Sequence, residues 1–88
     1  MRRNSTDIEA NILRITIVGA WKTRIVYEAN LNFCMIEKYL PRLIKQGFIE
    51  HDGGGVRSLY HTTPRGHEFL RRYDALHSLS EQPPLLEI

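Results

Sequence analysis

Between Asn32 and Gly47 the chain places Met35–Ile36, Tyr39–Leu40 and Leu43–Ile44 as apolar pairs four residues apart. That recurrence belongs to a helix with one buried face and is incompatible with a strand's two-residue period. Asn32 is a strong start cap and Gly47 a natural stop, so a helix is predicted over 33–46. Its opposite face carries Phe33, Cys34, Glu37, Lys38, Pro41, Arg42 and Lys45. Pro41 removes one backbone hydrogen bond and is expected to bend or loosen the helix there. A stripe this apolar needs partners, and the rest of the chain has to supply them.

On the N-terminal side, Thr6-Asp7-Ile8-Glu9 reads as a capping box. Ile8, Ile12, Ile15 and Val18 then recur at helical spacing and predict a helix over 7–18, ended near Gly19. The β-branched run Ile15–Val18 weakens its last turn. Trp21-Lys22 reads as a short strand. Thr23 is a candidate cap for a second helix over 24–29, with Ile25 and Val26 inward and Asn30 in the left-handed closing position. Two short helices joined by three or four residues form a helix-turn-helix unit.

On the C-terminal side, Phe48–Glu50 reads as a strand, His51–Gly55 as a turn and Val56–Thr62 as the returning strand. Thr63-Pro64 opens a last helix, a cap followed by proline at the first helical position. Phe69, Leu70, Tyr73, Leu76 and Leu79 give it an apolar face. Pro83-Pro84 lie beyond it, so its length is about 24 Å. The order is helix, helix, helix, hairpin, helix. The fold class expected is α+β, mainly α: a winged helix-turn-helix with three helices, a two-stranded wing and a C-terminal helix. Eighty-eight residues make one domain, divided as an arm (1–5), a core (6–62), a C-terminal helix (63–80) and a tail (81–88).

Several function classes are disfavoured. Cys34 is the only cysteine, so no internal disulfide forms, which fits a reducing compartment. The first residues are polar and lead into no signal-peptide core. The most apolar stretch, Ile12–Trp21, is interrupted by Arg14 and is too short to span a bilayer. A cytoplasmic or nucleoid location is the expectation. His51, His61, His67 and His77 are scattered, with no spacing that pairs two ligands beside a third. The glycines at 53–55 are not followed by Gly-Lys-Ser/Thr, so they are no phosphate-cradling loop. No enzyme activity, metal, cofactor or small-molecule ligand is expected.

Further residues carry a resemblance. Lys22-Thr23-Arg24-Ile25, Tyr27 and Ala29-Asn30-Leu31 resemble the opening of the helix-turn-helix in an archaeal winged-helix DNA-binding family of small chromatin-type proteins and transcription regulators. The match continues through Tyr39-Leu40, Leu43-Ile44, Gly47-Phe48-Ile49, Tyr60, Thr63-x-x-Gly66 and Phe69-Leu70. The resemblance implies double-stranded DNA as partner and a homodimer formed through the last helix. In chromatin-type members that helix is long and makes an antiparallel coiled coil. Here Pro83-Pro84 prevent one, leaving a compact dimer through Phe69, Tyr73, Leu76 and Leu79. The family also favours a large aliphatic residue where Thr62 stands, so the packing under the wing is expected to differ.

Charge distribution agrees with that partner. All 12 Lys and Arg lie within residues 1–72, whereas residues 73–88 hold Asp74, Glu81 and Glu87 and no base. In such a unit the second helix enters the major groove. The residues placed to meet base edges are Asn32, Phe33, Glu37 and Lys38, with Cys34 beside them. Asn32 has a plain alternative role as a cap, Phe33 as packing, Glu37 as a solvated helix residue and Cys34 as an idle thiol. Lys22, Arg24, Arg42 and Lys45 are read as phosphate contacts, which position a protein without reading sequence. Arg57, beside the wing glycines, is read as a groove or backbone contact. The competing reading is a winged-helix protein–protein module of the transcription machinery, or a nonspecific chromatin protein. The short last helix and Pro41 favour a compact transcription regulator over a coiled-coil chromatin protein.

Overall fold

The computed structural model describes residues 4–53 and 58–81, with side chains up to Ser78 in the last helix. The elements run α1 (Ser5–Ile15), β1 (Ala20–Trp21), α2 (Lys22–Ala29), α3 (Phe33–Lys45), β2 (Ile49–Asp52), β3 (Leu59–Thr62) and α4 (Pro64–Glu81). The strands form one antiparallel sheet in the order β1-β3-β2. The expected two-stranded wing, β2 and β3, is thus part of a three-stranded sheet. Its third strand is Ala20–Trp21, one residue earlier than expected, pairing Ala20 with Tyr60 and Trp21 with Leu59. His51 and Asp52, expected in the turn, extend β2 opposite Tyr60 and Leu59.

The start of α1 differs from the sequence reading. The capping box is built by Asn4 and Asp7, not Thr6 and Glu9. The Asp7 amide donates to the Asn4 side chain at 2.8 Å, and the Asn4 amide donates to the Asp7 carboxylate at 3.3 Å. Asparagine caps at least as well as threonine, so the upstream box wins and Thr6 becomes an exposed helical residue.

The helix also stops earlier, at Ile15. Thr16 is its cap residue and is fully buried. Had the helix continued, the Ile17 amide would bond the Leu13 carbonyl. It turns to Arg14 instead, at 3.3 Å. The Leu13 carbonyl is then one of the unpaired acceptors every helix end leaves. Thr62, from β3, donates its hydroxyl to it at 2.6 Å and lies 2.8 Å from the Thr16 hydroxyl. The Thr62 amide donates to the Thr16 carbonyl at 3.0 Å. A threonine where an aliphatic residue was anticipated is thus a cap delivered by a strand to a helix 49 residues away.

α2 begins at Lys22, without a side-chain cap, because β1 delivers Trp21 in extended conformation directly to its first turn. Thr23 lies inside the helix and is exposed. Asn30 closes α2 with φ 57°, allowing Leu31 to donate to the Val26 carbonyl at 3.1 Å. α3 starts as expected, with the Asn32 side chain accepting from the Met35 amide at 2.8 Å. It runs unbroken through Pro41, which is exposed. Ile36, Tyr39, Leu40 and Leu43 are buried, with Met35 and Ile44 packed at the margin. They meet Ile8, Ile12 and Leu13 of α1 in one core.

Thr63 joins the wing to α4. Its hydroxyl donates to the Gly47 carbonyl at 2.6 Å and accepts from the Gly66 amide at 3.1 Å. A Cβ at Gly66 would lie 2.4 Å from the Phe48 carbonyl oxygen, so only glycine fits that crossing. Thr62→Val is isosteric but removes the 2.6 Å hydrogen bond to the Leu13 carbonyl, which is left with the Thr16 hydroxyl at 3.2 Å as its donor. A buried hydrogen bond is worth about 1 kcal/mol net, and urea unfolding should show a loss of that size. Thr62→Ser, which keeps the hydroxyl, should lose less. Equal stability of Thr62→Val and the wild type would exclude the cap described.

Candidate nucleic-acid interface

The outward face of α3 follows from its inward stripe. Phe33, Glu37, Pro41 and Lys45 succeed one another at four-residue steps, and Cys34, Lys38 and Arg42 form the adjacent row. All seven are exposed. Phe33, at 53% exposure, takes no part in the core. Glu37 stands between Phe33 and Pro41, so the apolar members of the row do not merge.

Lys38 and Arg42 flank Tyr39, with their charged groups 5.8 and 5.7 Å from its ring centroid. Arg42 lies on the α1 side, where its guanidinium is 3.8 Å from the Glu9 carboxylate. Among the described residues neither Lys38 nor Lys45 is ion-paired. Lys22, at the start of α2, reaches across to α3 and donates to the Glu37 carboxylate at 2.6 Å. That bond, first among the influences on it, raises the Lys22 ammonium above its ordinary pKa. Arg24 instead bonds Glu28 along α2 at 2.7 Å. Asn32 serves as the cap of α3 through its side-chain oxygen. Arg57 lies outside the described residues, as do Gly54 and Gly55.

Lys22, Glu37, Lys38, Arg42 and Lys45 are therefore gathered around one helix, while Arg24 belongs to a separate local pair. Tyr27, on α2, was not singled out from the sequence as a site residue. It is 85% exposed, the most exposed of the large apolar side chains among the described residues. Its place four residues after Thr23 on the outer face of α2 was readable once that helix is taken to begin at Lys22.

A second surface lies along α4. Phe48, Phe69 and Tyr73 form an aromatic row, with centroids 5.2 and 6.4 Å apart. Phe69 and Tyr73 also pack on the core of their own chain. Beside them a groove of about 210 Å³ is lined by Thr6, Phe69, Arg72, Tyr73 and Leu76. Leu76 is 63% exposed, and the side chain of Leu79 lies outside the described residues. α4 is held to α1 by polar contacts. The Tyr73 hydroxyl donates to Asp7, and Arg14 pairs with both oxygens of Asp74. The bond to Asp7 pushes the Tyr73 phenol up to about 12. The Arg14 bond holds the Asp74 carboxyl below its usual range.

A family model described as winged helix-turn-helix matches residues 2–81. The chain belongs to the winged helix-turn-helix family. Among solved structures, the winged helix is similar to Sso10a-2, a DNA-binding protein from Sulfolobus solfataricus. The TM-score is 0.81 at 26% identity, over 90% of this chain and 83% of that one. It also resembles ZitR of Lactococcus lactis, a zinc-responsive MarR family member. There the TM-score is 0.66 at 17% identity, over 89% of this chain and 56% of that one. A ZitR mutant matches similarly, at TM-score 0.68 and 17% identity, over 89% of this chain and 55% of that one. At that identity the ZitR likeness concerns the fold. No curated protein matches the chain significantly. Among the described residues of this winged helix, no cluster of three His, Cys, Asp or Glu side chains is placed to hold a metal ion. No described helix is long and apolar enough to cross a membrane.

The Tyr73 contact gives a pH signature. Its folded pKa is raised, so its contribution to stability is complete below the unfolded value near 10 and is lost as pH rises towards about 12. Wild type is expected to lose urea resistance between pH 9 and 11.5 more steeply than Tyr73→Phe. Parallel losses in the two proteins would rule out the Tyr73–Asp7 bond as a fastener of α4.

Proposed function

We propose that the protein binds double-stranded DNA as a small transcription regulator, with α3 in the major groove and the wing against the backbone or minor groove. The observation that carries this reading is the outward face of α3. Lys38, Arg42 and Lys45 project from a helix whose other side is locked in the core, the arrangement by which the second helix of a helix-turn-helix reaches base edges. Sso10a-2, at 26% identity, is described as a DNA-binding protein, which supports the same partner.

In this reading Lys38 and Glu37 face base edges, with Phe33 at the margin against a thymine methyl. Asn32, committed to its cap, contributes through the amide nitrogen it has left. Lys22, Arg24, Arg42, Lys45 and Arg57 meet phosphates. The site of action is then the nucleoid.

The functional unit is proposed to be a homodimer through α4, with Leu76 at its centre, Phe69 and Tyr73 beneath it and Leu79 one turn on. Its support is that Leu76 is largely exposed beside the groove described above. A dimer would present two copies of α3 to half-sites about one helical turn apart.

Lys38→Ala and Arg42→Ala should each weaken binding to a short duplex, and Arg42→Ala, which loses a phosphate contact, should also flatten the log–log salt dependence by about 0.9. Unchanged affinity of both variants at low salt would remove α3 from the interface. Light scattering at tens of micromolar should give a dimer mass for wild type and a monomer mass for Leu76→Asp. A monomeric wild type would refute the α4 dimer.

A further inference from the structure

We propose that Glu37 is a specificity-determining residue that acts as a resident competitor for phosphate at Lys22, penalising binding to DNA of the wrong sequence. The proposal rests on the DNA-binding reading above. Its own foundation is the contact that joins the two helices of the unit, Lys22 Nζ to Glu37 Oε2 at 2.6 Å.

Glu37 is the only carboxylate in α3. It stands in the middle of an outward row, on a surface otherwise carrying Lys38, Arg42 and Lys45. A carboxylate there opposes a polyanion at close range, and a surface meant only to grip phosphates would not include one. Lys22, at the first position of α2, is the described cation that holds it. The two side chains are 33% and 59% exposed, so the pair sits in water, where such ion pairs are weak and exchange readily.

Docking a duplex sets two anions, a phosphate oxygen and the Glu37 carboxylate, in competition for one ammonium. If Lys22 turns to phosphate, Glu37 is left facing the groove without a partner. A base edge that donates a hydrogen bond, the cytosine N4 amine foremost, satisfies it. A base edge that only accepts leaves it repelled. If Lys22 stays on Glu37, the protein gives up one phosphate contact. Either outcome weakens binding to random sequence and spares a duplex with a donor in reach, which is discrimination by penalty against the wrong partner.

The test is titration of wild type, Glu37→Gln, Glu37→Asp and a Lys22→Ala/Glu37→Gln double variant with A·T-only and G·C-only duplexes of equal length at several salt concentrations. Glu37→Gln is expected to bind both duplexes several-fold more tightly and to narrow the gap between them. Its log–log salt slope should steepen by about 0.9, the mark of one further phosphate neutralised. Glu37→Asp should keep the wild-type slope, and the double variant should lose the steepening. An unchanged slope or weaker binding in Glu37→Gln overturns the proposal, because a carboxylate that merely staples α2 to α3 would give that result. Steepening that persists without Lys22 overturns it as well. A wild type that binds neither duplex at low salt instead overturns the DNA-binding reading.

Discussion

The Leu13 carbonyl at the end of α1 governs much of this structure. A helix that stops inside a core leaves acceptors that water cannot reach. Here the Thr62 hydroxyl answers one of them and the Thr62 amide answers another. Because β3 is the central strand, with β1 on one side and β2 on the other, fixing Thr62 fixes the whole sheet against α1. Thr63 and Gly66 follow at once, so the origin of α4 is set by the same few residues. The direction of the wing and that of the last helix are thus consequences of how one buried helix end is satisfied.

Much of this was legible in the sequence, for identifiable reasons. α3 has a clean apolar period, a cap at Asn32 and a stop at Gly47, and each of these signals is local. Asn30 was legible too, since asparagine is one of the few residues that close a helix in left-handed conformation. What the sequence obscured depends on partners distant along the chain. α1 ends at Ile15 because β3 supplies donors to its terminal carbonyls; nothing between Ile15 and Val18 announces it beyond a β-branched run. β1 is two residues long and exists only because β3 is there to pair with it. The capping box moved from Thr6 to Asn4 because two overlapping boxes compete, and local pattern alone does not rank them.

The outward face of α3 was readable as a set of residues but not as an electrostatic arrangement. Seven exposed positions follow from helical period once the stripe is known. That Glu37 is held by Lys22 does not, because the two are 15 residues apart and meet only through the packing of α2 on α3. The same holds for Arg42. Its row position is periodic, yet its place beside Glu9 on the α1 flank is tertiary. The charge that matters on this face is therefore set as much by which cations are engaged as by how many the chain contains.

α1 links the two exposed surfaces. On one side Ser5 and Glu9, four residues apart and so on one face of the helix, contact α3. The Ser5 hydroxyl lies 3.1 Å from that of Tyr39, and Glu9 faces Arg42. On another side Asp7 and Arg14 hold Tyr73 and Asp74 of α4. Neither α3 nor α4 can swing without disturbing contacts made to this one helix. In a dimer joined through α4, the separation of the two copies of α3 would follow from these contacts rather than from the dimer interface alone. Any change that loosened Asp7 from Tyr73 would then alter the match to DNA without touching a residue that meets it.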